Sequence, residues 1–172
     1  MTFEVGDKVI YPNQGVGIIE DVCMQSIGGQ SGEFYMVRLA DTESTVMVPV
    51  HNVDTVGMRR LSSESEVKGL LTVLEGDFEE PDPDWKSRYK VNLDRMNSGD
   101  VCEVAEVFKN LYWLSFRKSL SFREKKMYDR AQQLVISEIA TVTRRAYEET
   151  MEQVVQLMDA AYSRAQEREM VG

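Results

Sequence analysis

The chain has 172 residues, 42% of them hydrophobic and 28% charged, a balance typical of a folded protein with one or two domains. Twenty Lys and Arg residues against 29 Asp and Glu residues give a net charge of −9, which argues against a general nucleic-acid coat but permits a local basic patch. A single histidine excludes His-rich metal sites, and charges interrupt every apolar run before the roughly 20 residues that a membrane span needs.

The N-terminus has neither the basic start nor the apolar stretch of a signal peptide, so we expect a cytoplasmic protein. Cys23 and Cys102 lie far apart in sequence, and two cysteines without a secretion signal make no disulfide framework, so we expect both to be small packing residues. The sequence contains no GxGxxG, Walker, GxSxG or CxxC motif. We therefore expect no enzyme, no cofactor, no metal and no small-molecule substrate.

The first sixty residues have the pattern of a small β domain. Short β-branched runs separated by turn residues predict strands at 7–12, 16–22, 34–39 and 45–50. Pro12 and Gly15 predict a turn, and the glycine-rich segment 27–32 predicts a flexible hairpin tip. Short strands at such intervals indicate a small barrel of the SH3 or Tudor type over residues 1–60.

After residue 60 the hydrophobic period changes from two to 3.6, which predicts an all-α domain of about five helices over residues 61–172. Ser63 with Glu66 and Ser121 with Glu124 fit capping boxes at two helix starts. Residues 77–84 carry five acids and two prolines and predict a loop. No Gly or Pro marks the end of the fourth helix, so its boundary with the fifth is not defined by the pattern.

The most informative stretch is the helix predicted from Trp85 to about residue 97, with Asp84 as its N-cap. Trp85, Tyr89, Leu93 and Met96 fall on one side of a helical wheel and predict an apolar face. Under one interpretation Trp85 is a core residue of an amphipathic helix. Under the other it protrudes from the first turn, beside nearby cations, where cations hold phosphates and the ring contacts a base step.

Three other features carry weaker signals. A second basic run comprises Arg117, Lys118, Arg123, Lys125, Lys126 and Arg130, and is most simply a solvated helix face. His51 has no second histidine or nearby cysteine, which favours a structural role. The acidic loop lacks the glycine and terminal glutamate of an EF-hand, which favours a solvated loop over a cation site.

The ordered motifs of the chain resemble the CarD/CdnL family of bacterial RNA polymerase-binding transcription regulators. The opening motif, which the polymerase-interacting domain of the transcription-repair coupling factor shares, is Phe3-x-Val5-Gly6-Asp7-x-Val9-x-Tyr11-Pro12-x-x-Gly15-x-Gly17. The blocks that resemble the CarD helical domain alone are Trp85-x-x-Arg88-Tyr89-Lys90-x-Asn92, Ser98-Gly99-Asp100, Val104-Ala105-Glu106-Val107 and Leu120-Ser121-x-x-Glu124-Lys125-x-Met127. The resemblance covers essentially the whole chain.

The resemblance implies a β + α protein of two modules. A Tudor-like module at 1–60 would bind the β subunit of RNA polymerase, and a helical module at 61–172 would contact promoter DNA in the minor groove at the upstream edge of the transcription bubble. It also implies stabilisation of the open promoter complex, including at ribosomal RNA promoters, and association with the nucleoid through RNA polymerase. Neither a membrane nor a small-molecule substrate is implied as a partner.

The resemblance also implies site residues. Trp85 would be the wedge, Arg88 and Lys90 would contact phosphates, and Lys86 is a weaker candidate. Val37, Met47 and Pro49 match the apolar strand that contacts the polymerase. The chain has Ser87, Gln25 and Met47 where some relatives have basic residues, which implies weaker DNA affinity and a less electrostatic polymerase contact.

Two other functions remain open at this point. One is an RNA polymerase adaptor whose helical module recruits another protein, a function that a buried Trp85 would favour. The other is an enzyme that uses His51 or a cysteine, which is disfavoured because no partner residues are spaced to assist. The sequence leaves open which promoters respond, the orientation of the modules, the oligomeric state, and whether the run 117–130 touches DNA.

Overall fold

Five antiparallel strands form the N-terminal part of the computed structural model, which describes residues 1–172. They are β1 (Lys8–Tyr11), β2 (Gly15–Ile27), β3 (Gln30–Leu39), β4 (Thr45–Pro49) and β5 (Arg59–Arg60), in the sheet order β4-β3-β2-β1-β5. A 3-10 turn (Val50–Asn52) and the short helix α1 (Val53–Val56) connect β4 to β5. The small Tudor-like barrel expected from the sequence is confirmed.

The core of this unit combines apolar side chains of the strands with residues of the N-terminal segment, α1 and the turn after it. The core comprises Phe3, Val9, Ile19, Tyr35, Val37, Leu39, Val48, Val53 and Met58. The backbone NH of Phe3 donates to the Tyr35 hydroxyl at 3.0 Å, which ties the N-terminal segment to β3. The predicted tip at 27–32 is too long, because β2 and β3 stay paired out to Ile27 and Gln30 and only two glycines with positive φ make the turn.

Five helices form the C-terminal part, as expected. They are α2 (Glu64–Glu75), α3 (Trp85–Met96), α4 (Val101–Arg117), α5 (Phe122–Thr143) and α6 (Tyr147–Val171). Both predicted capping boxes are present, at Ser63 with Glu66 and at Ser121 with Glu124. Arg144, with φ of 56°, ends α5 in the left-handed conformation, a boundary that no Gly or Pro marks in the sequence.

The helical core is built from the predicted stripes of α2, α4, α5 and α6, with Phe108, Leu111, Ile136, Ile139 and Met158 among its fully buried members. Buried Lys109 closes one end of α2, because its Nζ donates to the carbonyls of Val73 and Asp77 at 2.9 and 2.7 Å. No helix of the chain is both long and apolar enough to cross a bilayer.

The chain divides into two compact units, Met1–Leu61 and Ser62–Gly172. This division falls one residue beyond the one expected from the change of hydrophobic period. Each unit has its own hydrophobic cluster. Strand β4 and helix α3, which carry the candidate site residues, therefore belong to separate units.

Candidate functional site

The first turn of α3 presents an exposed tryptophan. Asp84 is the N-cap, and its Oδ2 accepts hydrogen bonds from the backbone NH and the hydroxyl of Ser87 at 3.3 and 2.8 Å. These hydrogen bonds lower the pKa of the Asp84 carboxyl below its usual range. Trp85 is the first helical residue and is 52% exposed, so the interpretation of this ring as a core residue is wrong.

The prediction of which face of α3 is buried is also wrong. The buried residues of the helix are Arg88, Asn92 and Met96, while Leu93 is exposed and Tyr89 is only partly buried. With 3.6 residues per turn, this buried face is rotated by about 60° from the predicted one. The hydrophobic pattern failed because it treats every arginine as a surface residue. In the structure, Arg88 is buried and faces the carboxylate of Glu124 within the helical unit.

Arg88 lies in a buried ion pair and not at the surface. Its Nε and Nη2 donate to Oε1 of Glu124 on α5 at 2.8 and 2.6 Å, and its Nη1 donates to the carbonyl of Asp82 at 2.8 Å. The two side chains are 6% and 5% exposed. This position does not fit the expected phosphate contact, because the guanidinium is enclosed and already bonded on three nitrogens.

The ion pair brings the first turns of α3 and α5 together. Phe122, the first residue of α5, is 72% exposed, with the Nζ of Lys126 4.8 Å from its ring centroid. The guanidinium carbon of Arg123 lies 5.9 Å from the ring centroid of Tyr89 on α3. Part of the second basic run therefore adjoins the helix that carries Trp85.

We call this surface the basic aromatic tip, defined by six exposed side chains of the first two turns of α3 and α5, namely Trp85, Lys86, Lys90, Phe122, Arg123 and Lys126. The ammonium of Lys86 lies 5.9 Å from the centroid of the Trp85 ring. Sequence reasoning missed Phe122, and it named Arg123 and Lys126 only as part of a second basic run whose contact with DNA it left open. The sequence signal for Phe122 was the capping box at the start of α5. The capping box makes Phe122 the first residue of its helix, the same position that Trp85 has in α3.

The rest of the second basic run has different surroundings. Lys118 and Lys125 are exposed. Arg117 forms an ion pair with Glu169 on α6, and its guanidinium carbon lies 4.6 Å from the centroid of the buried Trp113 ring. This arginine is part of the packing between α4 and α6.

The second candidate surface is strand β4, at one edge of the sheet of the N-terminal unit. Met47 pairs with Met36 of β3, and Pro49 pairs with Phe34. Met47 and Pro49 are partly exposed, whereas Val37 is fully buried in the barrel core. Of the three residues expected to contact the polymerase, only Met47 and Pro49 are accessible to a partner.

The cysteines and the histidine do not combine into a reactive site. Cys23 and Cys102 are unpaired thiols in separate units. Burial and the neighbouring carboxylates, beginning with Asp100, raise the pKa of the Cys102 thiol. A thiol with a raised pKa is a poor nucleophile near neutral pH. His51 lies exposed in the turn after β4.

Comparisons with known proteins match both units. Residues 3–62 match the CarD-like/TRCF RID domain, and residues 69–156 match the CarD C-terminal domain. The putative transcription factor YdeB of Bacillus subtilis strain 168 is 30% identical over 140 residues, which cover 81% of this chain and 92% of YdeB.

Two solved structures from Myxococcus xanthus match part of the chain. The solution structure of the 72-residue N-terminal domain of CarD is 36% identical, covers 34% of this chain and 79% of its own, and has a TM-score of 0.31. CdnLNt is also 36% identical, covers 37% of this chain and 90% of its own, and has the same TM-score of 0.31.

Proposed function

Because the chain belongs to the CarD/CdnL family, and is thus a transcription regulator of the RNA polymerase-interacting type, we propose that it stabilises the open promoter complex. In this proposal the N-terminal unit binds the β subunit of RNA polymerase. The helical unit contacts promoter DNA at the upstream edge of the transcription bubble. The chain has no catalytic role in this process.

The observation that carries the proposal is the exposure of Trp85 at the first turn of α3. About half of the Trp85 side chain is exposed to solvent, although most large apolar side chains of the helical unit are buried. The exposed ammonium groups of Lys86 and Lys90 lie on the same helix. An apolar wedge that enters the minor groove can offset the unstacking of a base step, which costs about a few kcal/mol. Lysines beside it can hold the flanking phosphates.

Phe122 and Arg123 extend this assignment beyond the residues expected from the sequence. Both are exposed on the first turn of α5, next to α3. We assign Phe122 a contact with the sugar or base edge beside Trp85, and Arg123 and Lys126 contacts with phosphates. Arg88 is excluded from the phosphate contacts because of its buried ion pair.

The net charge of −9 is compatible with this role. A protein that relied on phosphate contacts alone would need many more cations than the four of the basic aromatic tip. Binding to polymerase instead raises the effective concentration of the helical unit at the promoter, so that a few contacts suffice. We therefore expect weak, salt-sensitive affinity for DNA in the absence of polymerase.

On the polymerase side, the edge position of β4 supports the assignment. An edge strand leaves one row of backbone NH and carbonyl groups for a partner strand, and Met47 and Pro49 add apolar contact area. Met47→Glu and Pro49→Ala should weaken binding to the isolated β subunit in a pull-down, whereas Thr45→Ala on the same strand should not. Unchanged binding of both variants would remove β4 from the interface.

The central test is the lifetime of a heparin-challenged open complex on a ribosomal RNA promoter. We expect the protein to lengthen this lifetime, and Trp85→Ala to abolish the effect while polymerase binding is retained. Leu93→Ala is the matched control, since it also shortens an exposed apolar side chain of α3 and should leave the lifetime unchanged.

The same experiment tests the alternative function, an adaptor whose helical unit recruits another protein. Bound protein that leaves the lifetime unchanged would favour the adaptor over the DNA-contacting regulator. The exposure of Trp85 does not by itself separate the two, because an exposed aromatic ring also suits a protein partner.

A further inference from the structure

Helix α3 is attached to its unit in an unusual way for a helix that presents a functional side chain. Of its three buried residues only Met96 is apolar, and Met96 lies at the end of the helix opposite Trp85. The end that carries Trp85 has no fully buried apolar residue, since Tyr89 is only partly buried. Apolar packing alone therefore does not fix the position of the Trp85 end.

A charged network holds this end instead. Arg88, one turn after Trp85, donates to Glu124 of α5 through Nε and Nη2 and to the Asp82 carbonyl of the preceding loop through Nη1. Glu124 is itself fixed, because its other oxygen, Oε2, accepts from the backbone NH of Ser121 in the capping box at 3.2 Å. The network thus ties three segments together: the loop before α3, the first turn of α3 and the first turn of α5.

We infer that Arg88 and Glu124 are a positioning pair, which holds Trp85 at a fixed place relative to the first turn of α5, and that Arg88 acts on DNA only through this pair. The inference deepens the proposed function and rests on it for the role of Trp85. A planar guanidinium suits such a task, because Nε and Nη2 converge on one carboxylate oxygen while Nη1 binds the loop carbonyl, and three hydrogen bonds from one rigid group restrain its orientation as well as its distance.

Replacement of Glu124 separates this inference from a direct phosphate contact by Arg88. If Arg88 bound a phosphate, Glu124→Gln would remove a carboxylate that competes with DNA, and stabilisation of the open complex would stay the same or increase. If the pair positions Trp85, Glu124→Gln weakens stabilisation although Glu124 carries a negative charge and is enclosed. The two interpretations therefore differ in outcome: Glu124→Gln loses stabilisation if the pair positions Trp85, and loses none if Arg88 binds a phosphate.

The first measurement is the open-complex lifetime with Arg88→Lys and Glu124→Gln, both of which keep roughly the volume of the side chain. The chain offers a control pair that also involves α3, Arg95 with Glu103 on α4, a partly exposed pair with an N–O distance of 3.3 Å. We expect both variants of the positioning pair to lose most of the lengthening, and Arg95→Lys and Glu103→Gln to keep it. An unchanged lifetime with Arg88→Lys together with an increase for Glu124→Gln would overturn the inference.

The second measurement does not involve DNA. Amide hydrogen exchange on the full chain, under conditions where thermal unfolding shows each variant to be folded, reports the opening of α3 directly. We expect amides at 88–92 to exchange about tenfold faster or more in Arg88→Lys and Glu124→Gln, with no change in the core of α4. Unchanged exchange at 88–92 would overturn the inference.

The two measurements also separate the inference from the proposed function. If Trp85→Ala leaves the lifetime unchanged while exchange at 88–92 accelerates in the pair variants, the proposed function is wrong and the pair still fixes the end of α3. If Trp85→Ala abolishes the effect and the pair variants match wild type in both measurements, the proposed function stands and the positioning role is wrong.

Discussion

The two tryptophans differ because of where each lies in its helix. Trp85 begins α3 and is 52% exposed, whereas Trp113 lies well inside α4 and is 7% exposed. The ring centroid of Trp113 lies 4.6 Å from that of Phe78 and 5.7 Å from that of Tyr162. Residue type alone would have placed both rings in the core.

Alanine substitutions should separate the two tryptophans by stability. Trp85→Ala should change the free energy of unfolding by no more than about 0.5 kcal/mol, as for other exposed positions. Trp113→Ala should lower it by about 3–5 kcal/mol, because it leaves a cavity among aromatic rings. Urea unfolding followed by circular dichroism measures both, and a comparable loss for Trp85→Ala would contradict the exposure that the proposed wedge requires.

The carboxyl of Glu124 should make stability depend on pH. Burial raises its pKa, but hydrogen bonds from Arg88 and Ser121 outweigh burial and leave the pKa below its ordinary value of 4.5. A carboxyl with a lowered folded-state pKa contributes stability that is complete above the unfolded pKa and lost as the pH falls through the folded pKa. The free energy of unfolding should therefore drop below about pH 4.5.

Comparison with Glu124→Gln isolates this carboxyl from the other acids of the chain. The variant should be less stable than wild type at neutral pH, and the difference should shrink as the pH falls. A difference that stays constant with pH in urea unfolding would mean that the ion pair contributes through its shape and not its charge.

At the scale of elements, helix starts were the best predicted features. Ser63, Asp84 and Ser121 each accept a hydrogen bond from the first turn, a local interaction that depends on residues three apart. The break after α5 could not be predicted, because Arg144 adopts a left-handed conformation that its residue type does not favour. The buried face of α3 was missed because the partner of Arg88 lies 36 residues away in sequence.

Strand β2 contains a close approach that only glycine permits. A Cβ at Gly17 would lie 2.6 Å from Cγ1 of Val37 and 3.2 Å from the carbonyl oxygen of Arg38 on β3. Gly17→Ala should therefore lower the free energy of unfolding by about 1–3 kcal/mol through overpacking. Thermal unfolding tests this.

The matched control is Gly32→Ala on the neighbouring strand β3, where a Cβ would meet no atom within 4 Å. This variant should be neutral or slightly stabilising, because alanine restricts the unfolded chain more than glycine does. Equal losses in the two variants would mean that backbone conformation, and not the contact with Val37, explains the glycine.

At the scale of the whole molecule, the change of hydrophobic period near residue 60 predicted the fold class. Each unit has its own buried cluster. The basic aromatic tip could be predicted only in part. Trp85, Lys86 and Lys90 are contiguous in sequence, whereas Phe122, Arg123 and Lys126 join them through tertiary structure.

Separate cores predict separate folding. Fragments 1–61 and 62–172, each expressed alone, should unfold cooperatively on heating, and the helical fragment should keep the circular dichroism of five helices. A fragment 1–61 without a cooperative transition would mean that the barrel, with its small core, needs the rest of the chain for stability.

The junction between the units has a consequence for limited proteolysis. The Arg60 guanidinium donates to the carbonyl of Thr2 at 3.1 Å, and the Ser62 backbone NH donates to Glu138 at 3.0 Å, so that Leu61 alone lies between two anchored residues. A protease needs several residues of locally unfolded chain in its active-site cleft, and this junction does not supply them. Nicking should begin instead in the exposed acidic loop before α3. A digest would then split the helical unit itself, and the intact units can be obtained only by expressing them from separate genes.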